Sequence, residues 1–238
     1  MLPKETENVW NFLRVQPALG GFILIGGSAL ALRISHRWSE DLDLVWAGAR
    51  LPRARLEALR RVAAVENAFD LQPTDDEGAL RDFQEAGLEL HDYQQNFLVN
   101  AKVKLSFFAP EAPLLKVLDG PPEATARIGT LPELFKSKCL VSAQRSKTRD
   151  WLDLYLLLHR HGFTLRDYRA AFIEAGVASQ CDTGLSRLCS GVPQKDDEGY
   201  FHLLPNPPAL AEMKAFFTAQ RDQLEIELAE DAARRRKA

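Results

Sequence analysis

The chain has 238 residues, of which 46% are hydrophobic and 26% charged, and its formal net charge is −3 at pH 7. This composition is typical of a globular protein with one large domain or two small ones. The net charge excludes a positive electrostatic potential over the whole protein, so a nucleic-acid partner would need a local basic patch. The three cysteines form no CxxC pair, and neither a signal peptide nor a membrane-length apolar run is found. We therefore expect a cytoplasmic protein with no membrane contact.

The N-terminal half is predicted to mix helices and strands, from the spacing of its apolar residues. In chain order, the pattern predicts a helix over 4–16, a strand over 21–27, a helix over 28–34, a strand over 40–46, a helix over 52–66, and two further strands over Leu88–Tyr93 and Phe97–Phe108. The last two strands are expected to pair as a hairpin.

The second half is predicted to be helical. Five of the thirteen prolines lie between Ala109 and Pro132, which indicates a crossing segment or a domain boundary. Beyond it, helices are predicted over 131–145, 149–161 and 165–176 and from about Pro208 onward, with a loop over 191–208. The predicted class is α+β. A small mixed sheet flanked by helices occupies residues 1–120, and a helical domain occupies residues 121–238.

Asp41 and Asp43 are two residues apart in the strand predicted over 40–46. Successive side chains of a strand point to opposite sides, so Asp41, Asp43 and Val45 would share one face. The two Cα atoms would lie about 7 Å apart, which suits carboxylates that converge on one or two magnesium ions. Taken alone, such a pair is more often two solvated acids on an outer strand.

A glycine turn, Gly26-Gly27-Ser28, precedes Asp41 and follows the first predicted strand. Glycines allow a ligand to approach the backbone closely, and N–H groups at the start of the next helix can bind a phosphate. The turn is not a Walker loop, because no GK[ST] follows it. Alone it could be a tight strand-to-helix connection, but together with the two carboxylates it predicts a phosphate site beside a metal site.

Two segments of the chain resemble a known family. The string GGSALAL…HRWSEDLDL resembles the first motif of the DNA polymerase β-type nucleotidyltransferases, and more specifically of the AbiEii/AbiGii toxins of bacterial toxin–antitoxin and abortive-infection systems. The segment LPELFKSKCLVSAQRSKTRDWLDLYLLL is similar to the second motif of the same family. The resemblance covers about residues 20–160. It implies a nucleotidyltransferase domain over residues 1–120, whose active site the helical domain completes.

The resemblance also implies an activity and a set of site residues. The activity is transfer of a nucleoside monophosphate from an NTP to an acceptor hydroxyl, with release of pyrophosphate and with Mg²⁺ or Mn²⁺ as the cofactor. The implied metal ligands are Asp41 and Asp43; the implied nucleotide-binding residues are Gly26, Gly27, Ser28, Arg37 and Lys138; and the further catalytic residues are Lys138, Asp153 and Asp150. The acceptor could be the 3′ end of a tRNA, and the implied partner is a cognate antitoxin.

The residues of the second motif also have simpler interpretations. Lys138 could extend its stem over the core as a surface lysine. Asp150 could be an acid favoured at the start of a helix, and Asp153 could pair with Arg149 one turn earlier.

The relative position of the two acids depends on the helix boundary. If residues 138–158 formed one continuous helix, Asp153 would lie within about 60° of Lys138 around the axis, and Asp150 at about 120°. This geometry favours Asp153, but a loop over 145–149 would remove the argument.

Arg145, Lys147 and Arg149 form a basic cluster beside these acids, which could meet phosphates of a nucleotide or of RNA. This is the local basic patch that the net charge requires of a nucleic-acid-binding protein.

Polymerase β-type enzymes often carry a third carboxylate on a neighbouring strand. Here Ser106 and two lysines occupy the matching strand, and Glu89 and Asp92 before it are weak substitutes. Three alternatives therefore stay open: modification of a small molecule such as an aminoglycoside, modification of a protein hydroxyl, and a non-catalytic nucleotide- or protein-binding domain.

Overall fold

The computed structural model describes residues 1–66 and 68–236. The chain separates into two compact units, Met1–Leu134 and a second that begins at Phe135. The predicted α+β class is confirmed, because the first unit contains a six-stranded mixed sheet and the regular elements described in the second unit are helices. Among the helices described, none combines the length and the apolar character needed to cross a membrane.

The first unit alternates helices and strands. Its elements in chain order are α1 (Lys4–Leu13), β1 (Phe22–Ile25), α2 (Gly26–Ile34), β2 (Leu42–Trp46), α3 (Arg53–Val65), β3 (Leu71–Pro73), α4 (Glu77–Glu85), β4 (Gln94–Val99), β5 (Val103–Phe108), α5 (Ala112–Val117) and β6 (Arg127–Ile128). Helix α6 (Leu131–Gln144) begins in this unit. The elements predicted before residue 66 are confirmed, with ends that differ by a few residues.

The strand order of the sheet is β3-β4-β5-β2-β1-β6. Strand β2 lies at the centre, antiparallel to β1 and parallel to β5. On one side of the sheet, the rings of Phe22 and Phe97 both pack edge-on against Phe107, with centroids 5.6 and 6.2 Å apart respectively. These rings therefore belong to the core on this side of the sheet.

The predicted hairpin is present, but its first strand was assigned to the wrong segment. Leu88–Tyr93 is not a strand, and Leu90–Asp92 within it form a short 3-10 helix. Instead, the predicted strand Phe97–Phe108 is itself split between β4 and β5. The chain reverses at Asn100 and Ala101, whose φ angles are 50° and 56°. Two positive φ angles define the tight turn whose twist matches paired strands, and asparagine tolerates this conformation well.

The second unit is built around a buried helix. Its further elements are α7 (Thr148–Arg160), α8 (Leu165–Glu174), α9 (Cys181–Ser190) and α10 (Leu210–Arg235). Nearly every residue of α7 up to Leu158 is buried, so this helix is covered on all sides, as expected of a helix at the centre of a bundle. The helices predicted in this half are confirmed, and the predicted loop over 191–208 contains only a short 3-10 helix.

A loop separates α6 from α7, so the continuous helix considered over residues 138–158 is wrong. Helix α6 ends at Gln144, and α7 begins at Thr148. The amide of Ser146 donates to Gln194 Oε1 at 3.0 Å, and the amide and hydroxyl of Thr148 donate to the carboxylate of Asp197 at 2.9 and 2.6 Å. Side chains from the 191–208 loop thus accept hydrogen bonds from the N–H groups at the break. Without these acceptors, the N–H groups would favour a continuous helix.

Candidate active site

Asp43 lies in the middle of the sheet of the first unit. In the strand register it is opposite Ile25 of β1 on one side and Ser106 of β5 on the other. Asp41 precedes the first residue of β2, so it lies outside the strand that was predicted to contain it. Both aspartates are half-buried, whereas Val45, on the same face as Asp43, is fully buried. This face of β2 is therefore mostly covered, and the aspartates are not acids on an outer solvated face.

Gly26 provides the space that Asp43 occupies. Its φ is +78°, and an added Cβ would lie 2.8 Å from Oδ2 of Asp43, closer than a carbon and an oxygen can pack. The two glycines do not form a separate turn, because α2 begins at Gly26 itself. The carboxylate of Asp43 is thus held against the first turn of α2, the end of a helix that favours negative charge and phosphate.

Gly27 allows the loop before β2 to pack on α2. An added Cβ at Gly27 would lie 2.6 Å from Nη2 of Arg37 and 2.7 Å from Oγ of Ser39. The guanidinium of Arg37 is buried, and its Nη1 donates to the carbonyl of Trp38 at 2.8 Å. The predicted nucleotide-binding residues Gly27 and Arg37 are therefore neighbours in the structure, with a positive charge beside the start of α2.

Ser28 connects α2 to the segment that carries Asp41. Its buried hydroxyl donates to the carbonyl oxygen of Asp41, and its Oγ lies 3.1 Å from Oγ of Ser39. The hydroxyl therefore positions the chain at Asp41. The sequence motifs did not single out Ser39. Its position between Arg37 and Asp41 could have indicated that it belongs to the site.

The donor chemistry of Asp41 and Asp43 fits a small divalent cation. Mg²⁺ and Mn²⁺ prefer carboxylate oxygens, and Mg²⁺ sites usually combine one or two carboxylates with substrate phosphates and water. In residues 1–66 and 68–236, no group of three or more histidine, cysteine, aspartate or glutamate side chains could hold a metal. A cation bound by the two aspartates would therefore take its other ligands from a nucleotide and from water.

The position of a third carboxylate is occupied by Ser106. This residue is directly opposite Asp43 in the register and is half-buried. The weak substitute Asp92 instead accepts hydrogen bonds from Arg50 and Arg53, at 3.3 and 3.4 Å. The chain thus departs from the polymerase β-type pattern in that a neutral hydroxyl, in place of a carboxylate, lies beside Asp43 on the neighbouring strand.

Lys138, Asp150 and Asp153 come together inside the second unit. The ammonium of Lys138 lies 2.7 Å from Oδ1 of Asp150 and 2.8 Å from Oδ2 of Asp153. Lys138 is 5% exposed and both aspartates are completely buried, so the interpretation of Lys138 as a surface lysine is wrong. The choice between the two acids is also unnecessary, because the α6–α7 loop brings both of them to the lysine.

Buried charge is balanced in this cluster. Nε of Arg145 donates to Oδ2 of Asp150 at 2.8 Å, so that two basic groups face two carboxylates. Burial alone would raise the pKa of Asp150, but the charges of Lys138 and Arg145 outweigh it and hold the pKa below the usual value. Desolvated charges are tolerated only when they are paired in this way.

The remaining basic residues of the predicted cluster have acidic partners in the same unit. Lys147 and Arg149 both contact Glu198, at 3.3 and 3.0 Å. Arg149 therefore pairs with Glu198, and Asp153 with Lys138, in place of the considered pair between Arg149 and Asp153. These ion pairs reduce the local positive field that the sequence suggested.

Comparison of the sequence with known proteins found a family and a relative. A family model described as nucleotidyl transferase AbiEii toxin, type IV TA system, matches residues 13–237. The protein aq_aa25 of Aquifex aeolicus (strain VF5) is 26% identical over 150 residues, which are 61% of this chain and 62% of the length of that protein.

Two solved structures share the fold. JHP933 from Helicobacter pylori is 17% identical with a TM-score of 0.51, over 99% of this chain and 100% of that chain. MenT4, a nucleotidyltransferase toxin from Mycobacterium tuberculosis H37Rv, is 14% identical with a TM-score of 0.50, over 92% of this chain and 86% of that chain. At these identities the likeness concerns the fold, whereas the family match extends over almost the whole chain. The expected resemblance is therefore confirmed, and the chain belongs to the AbiEii family of nucleotidyltransferase toxins.

Proposed function

We propose that this protein transfers a nucleoside monophosphate from an NTP to an acceptor hydroxyl and releases pyrophosphate. The observation that carries the proposal is the packing of the Asp43 carboxylate against Gly26, at the start of α2. This contact puts a potential metal ligand beside backbone N–H groups suited to phosphate. Membership of the AbiEii family supports the same chemistry.

The first unit supplies groups for both the metal and the triphosphate. Asp41 and Asp43 would hold Mg²⁺ or Mn²⁺, which would neutralise charge on the phosphates and orient them. Backbone N–H groups of Gly27 and Ser28 would bind the β- and γ-phosphates. The Ser28 hydroxyl would not bind them, because it already donates to the carbonyl oxygen of Asp41. The buried guanidinium of Arg37, next to Gly27, would add a fixed positive charge.

The second unit would contribute Lys138 to binding of the triphosphate. Asp150 and Asp153 each contact its ammonium, so the lysine has a fixed orientation instead of the many rotamers of a surface lysine. Preorganised positive charge stabilises the charge that develops during phosphoryl transfer. Within the second unit, Asp150 and Asp153 would thus hold this side chain in place.

The transfer itself is an in-line displacement. The acceptor hydroxyl oxygen forms a bond to the α-phosphorus, while the bond from this phosphorus to the α–β bridging oxygen breaks. Pyrophosphate leaves with the bonding electrons, and the hydroxyl proton is released to solvent. Because Ser106 stands where related enzymes often have a third acid, attack would depend mainly on positioning and electrostatic stabilisation.

The acceptor is proposed to be RNA, with the 3′ end of a tRNA as the expected site. The family description names a type IV toxin–antitoxin system, which supports a toxin that has a cognate antitoxin as partner.

The test uses radioactive NTPs, with purified pools of tRNA, protein and aminoglycoside offered separately. Label is expected in the tRNA pool with wild type and Mg²⁺, and Asp43→Ala should abolish it. Asp82→Ala, which removes an exposed carboxylate from α4, is the matched control and should leave labelling unchanged. Full labelling by Asp43→Ala would overturn the proposal. Mg²⁺-dependent NTP binding without label in any pool would identify a non-catalytic domain instead.

A further inference from the structure

Trp38 differs from the other tryptophans of the chain in its exposure. This residue is 41% exposed, whereas Trp10 and Trp151 are buried and Trp46 is half-buried. Within residues 1–66 and 68–236, its indole makes no ring contact and no hydrogen bond. Part of a large apolar ring thus faces solvent, with neither a ring contact nor a hydrogen bond from the described part of the chain.

The backbone that carries this ring is held on both sides. The carbonyl of Trp38 accepts from Nη1 of Arg37 at 2.8 Å. The carbonyl of Arg37 accepts from the amino group of Met1 at 2.7 Å, and the amide of Ser39 donates to the carbonyl of Met1 at 3.1 Å. The exposure of the indole is therefore not that of a loosely held loop. The chain presents the ring from an anchored backbone, which lowers the entropy lost when a ligand binds to it.

The same segment borders the phosphate-binding end of α2. Arg37 and Ser39, on either side of Trp38, both pack against Gly27, within 2.7 Å of the place where a Cβ would lie. Trp38 also precedes the metal-ligand candidate Asp41 by only three positions. The backbone that carries the exposed ring is consequently next to residues assigned to phosphate and metal binding in the first unit.

We propose that Trp38 is a stacking platform for a nucleobase of the substrate. This inference rests on the proposed function, which brings a base, a sugar and phosphates to this site. Every base has a flat π-face, and stacking on an aromatic side chain is worth about 5- to 100-fold in affinity per base. The base belongs either to the incoming NTP or to the end of a single-stranded RNA acceptor. The shared chemistry is a flat heteroaromatic ring attached to a phosphorylated sugar.

Two matched pairs of ligands distinguish these sources. One pair is ATP and inorganic triphosphate; the other is a short single-stranded RNA with either a normal or an abasic 3′-terminal nucleotide. Affinities are measured calorimetrically with each ligand alone, so that no transfer occurs. We expect Trp38→Ala to weaken binding of the base-bearing member of one pair by about 10-fold and to leave its base-lacking counterpart unchanged. The affected pair identifies the source of the base.

Two further variants sharpen the result. Trp38→Phe keeps a stacking ring and should retain most of the preference for the base-bearing ligand. Phe201→Ala removes an exposed ring of the second unit and should change no affinity. Circular dichroism confirms that each variant is folded.

The inference is overturned if wild type binds both members of each pair equally, or if Trp38→Ala binds all four ligands as wild type does. These outcomes are separate from failure of the proposed function, which would appear as an absence of transferred label even when base-dependent binding is intact.

Discussion

Gly26 shows how a single residue can decide the geometry of the site. Its positive φ is unfavourable for any residue with a Cβ, and its missing Cβ leaves the space into which the Asp43 carboxylate packs. Backbone conformation and site geometry therefore depend on the same position. Comparison with a glycine that shares only the positive φ separates the two effects.

We expect Gly26→Ala to lower nucleotide transfer by about 100-fold, the loss associated with moving a catalytic group by about 1 Å. The added methyl group must displace Asp43 Oδ2, which it would otherwise approach to 2.8 Å. Gly87→Ala is the matched control, because Gly87 also has a positive φ, of 70°, but no neighbouring atom within 4 Å of the added Cβ. Both variants should lose about 1–2 kcal/mol of stability from backbone strain. Equal transfer activity in the two variants would contradict a steric role for Gly26.

At the scale of elements, helix α6 carries two lysines in different surroundings. Lys138 is buried between Asp150 and Asp153 of α7, whereas Lys136 pairs with Glu174 of α8, a residue whose side chain is 39% exposed. Both pairs have nitrogen–oxygen distances near 2.7 Å, so distance alone does not separate their contributions to stability. Burial does, because an unpaired charge inside the protein has no water to solvate it.

Lys138→Met is expected to lower the free energy of unfolding by about 3–5 kcal/mol, since two buried carboxylates lose their shared cation. Lys136→Met, on the same helix, should cost less than about 1 kcal/mol, as is usual for exposed ion pairs. Urea denaturation of the two variants beside wild type measures both values. Similar losses from the two substitutions would show that the cluster between α6 and α7 does not carry its charges in a desolvated environment.

At the scale of the whole molecule, the acid stability of the fold depends on a buried ion pair in the first unit. The carboxylate of Glu133 accepts hydrogen bonds from both terminal nitrogens of Arg127 at 2.7 Å, and from the amides of Gly120 and Thr130 at 2.8 and 2.7 Å. Burial by itself would raise the pKa of Glu133, but these donors lower it from 4.5 to about 2. The ionised carboxylate thus holds β6 and the start of α6 together.

A lowered folded-state pKa stabilises the protein at pH values above the unfolded-state pKa, and this stabilisation is lost as the pH falls towards the folded-state pKa. We therefore expect the contribution of Glu133, on the order of 3 kcal/mol, to be complete above pH 4.5 and to disappear between pH 4.5 and about 2. Urea denaturation over this range should show the loss, and Glu133→Gln should lower stability at pH 7 and flatten the profile. An unchanged pH profile in that variant would rule out Glu133 as the titrating group.

The local pattern of residues was enough to predict most elements and the class of chemistry. Apolar spacing predicted α3, α7 and β2 because the apolar residues that each element buries recur along the sequence with the period of a helix or of a strand. It misplaced the hairpin because the turn at Asn100 and Ala101 uses alanine where glycine is the usual signal, so the apolar run appears continuous. Spacing predicted the end of α6 to within one residue, but it could not exclude a continuous helix over 138–158, since the groups that satisfy the break come from residues about fifty positions later.

The sequence by itself determined the family, the two aspartates with the glycines that precede them, and the lysine with its two candidate acids. Only the tertiary structure decided what these groups contact. It packed Asp43 against Gly26, committed the Ser28 hydroxyl to Asp41, and brought both Asp150 and Asp153 to Lys138. The physical reason is that motif residues are recognised by type and spacing, whereas contacts and burial depend on strand register and helix packing between residues far apart in the chain.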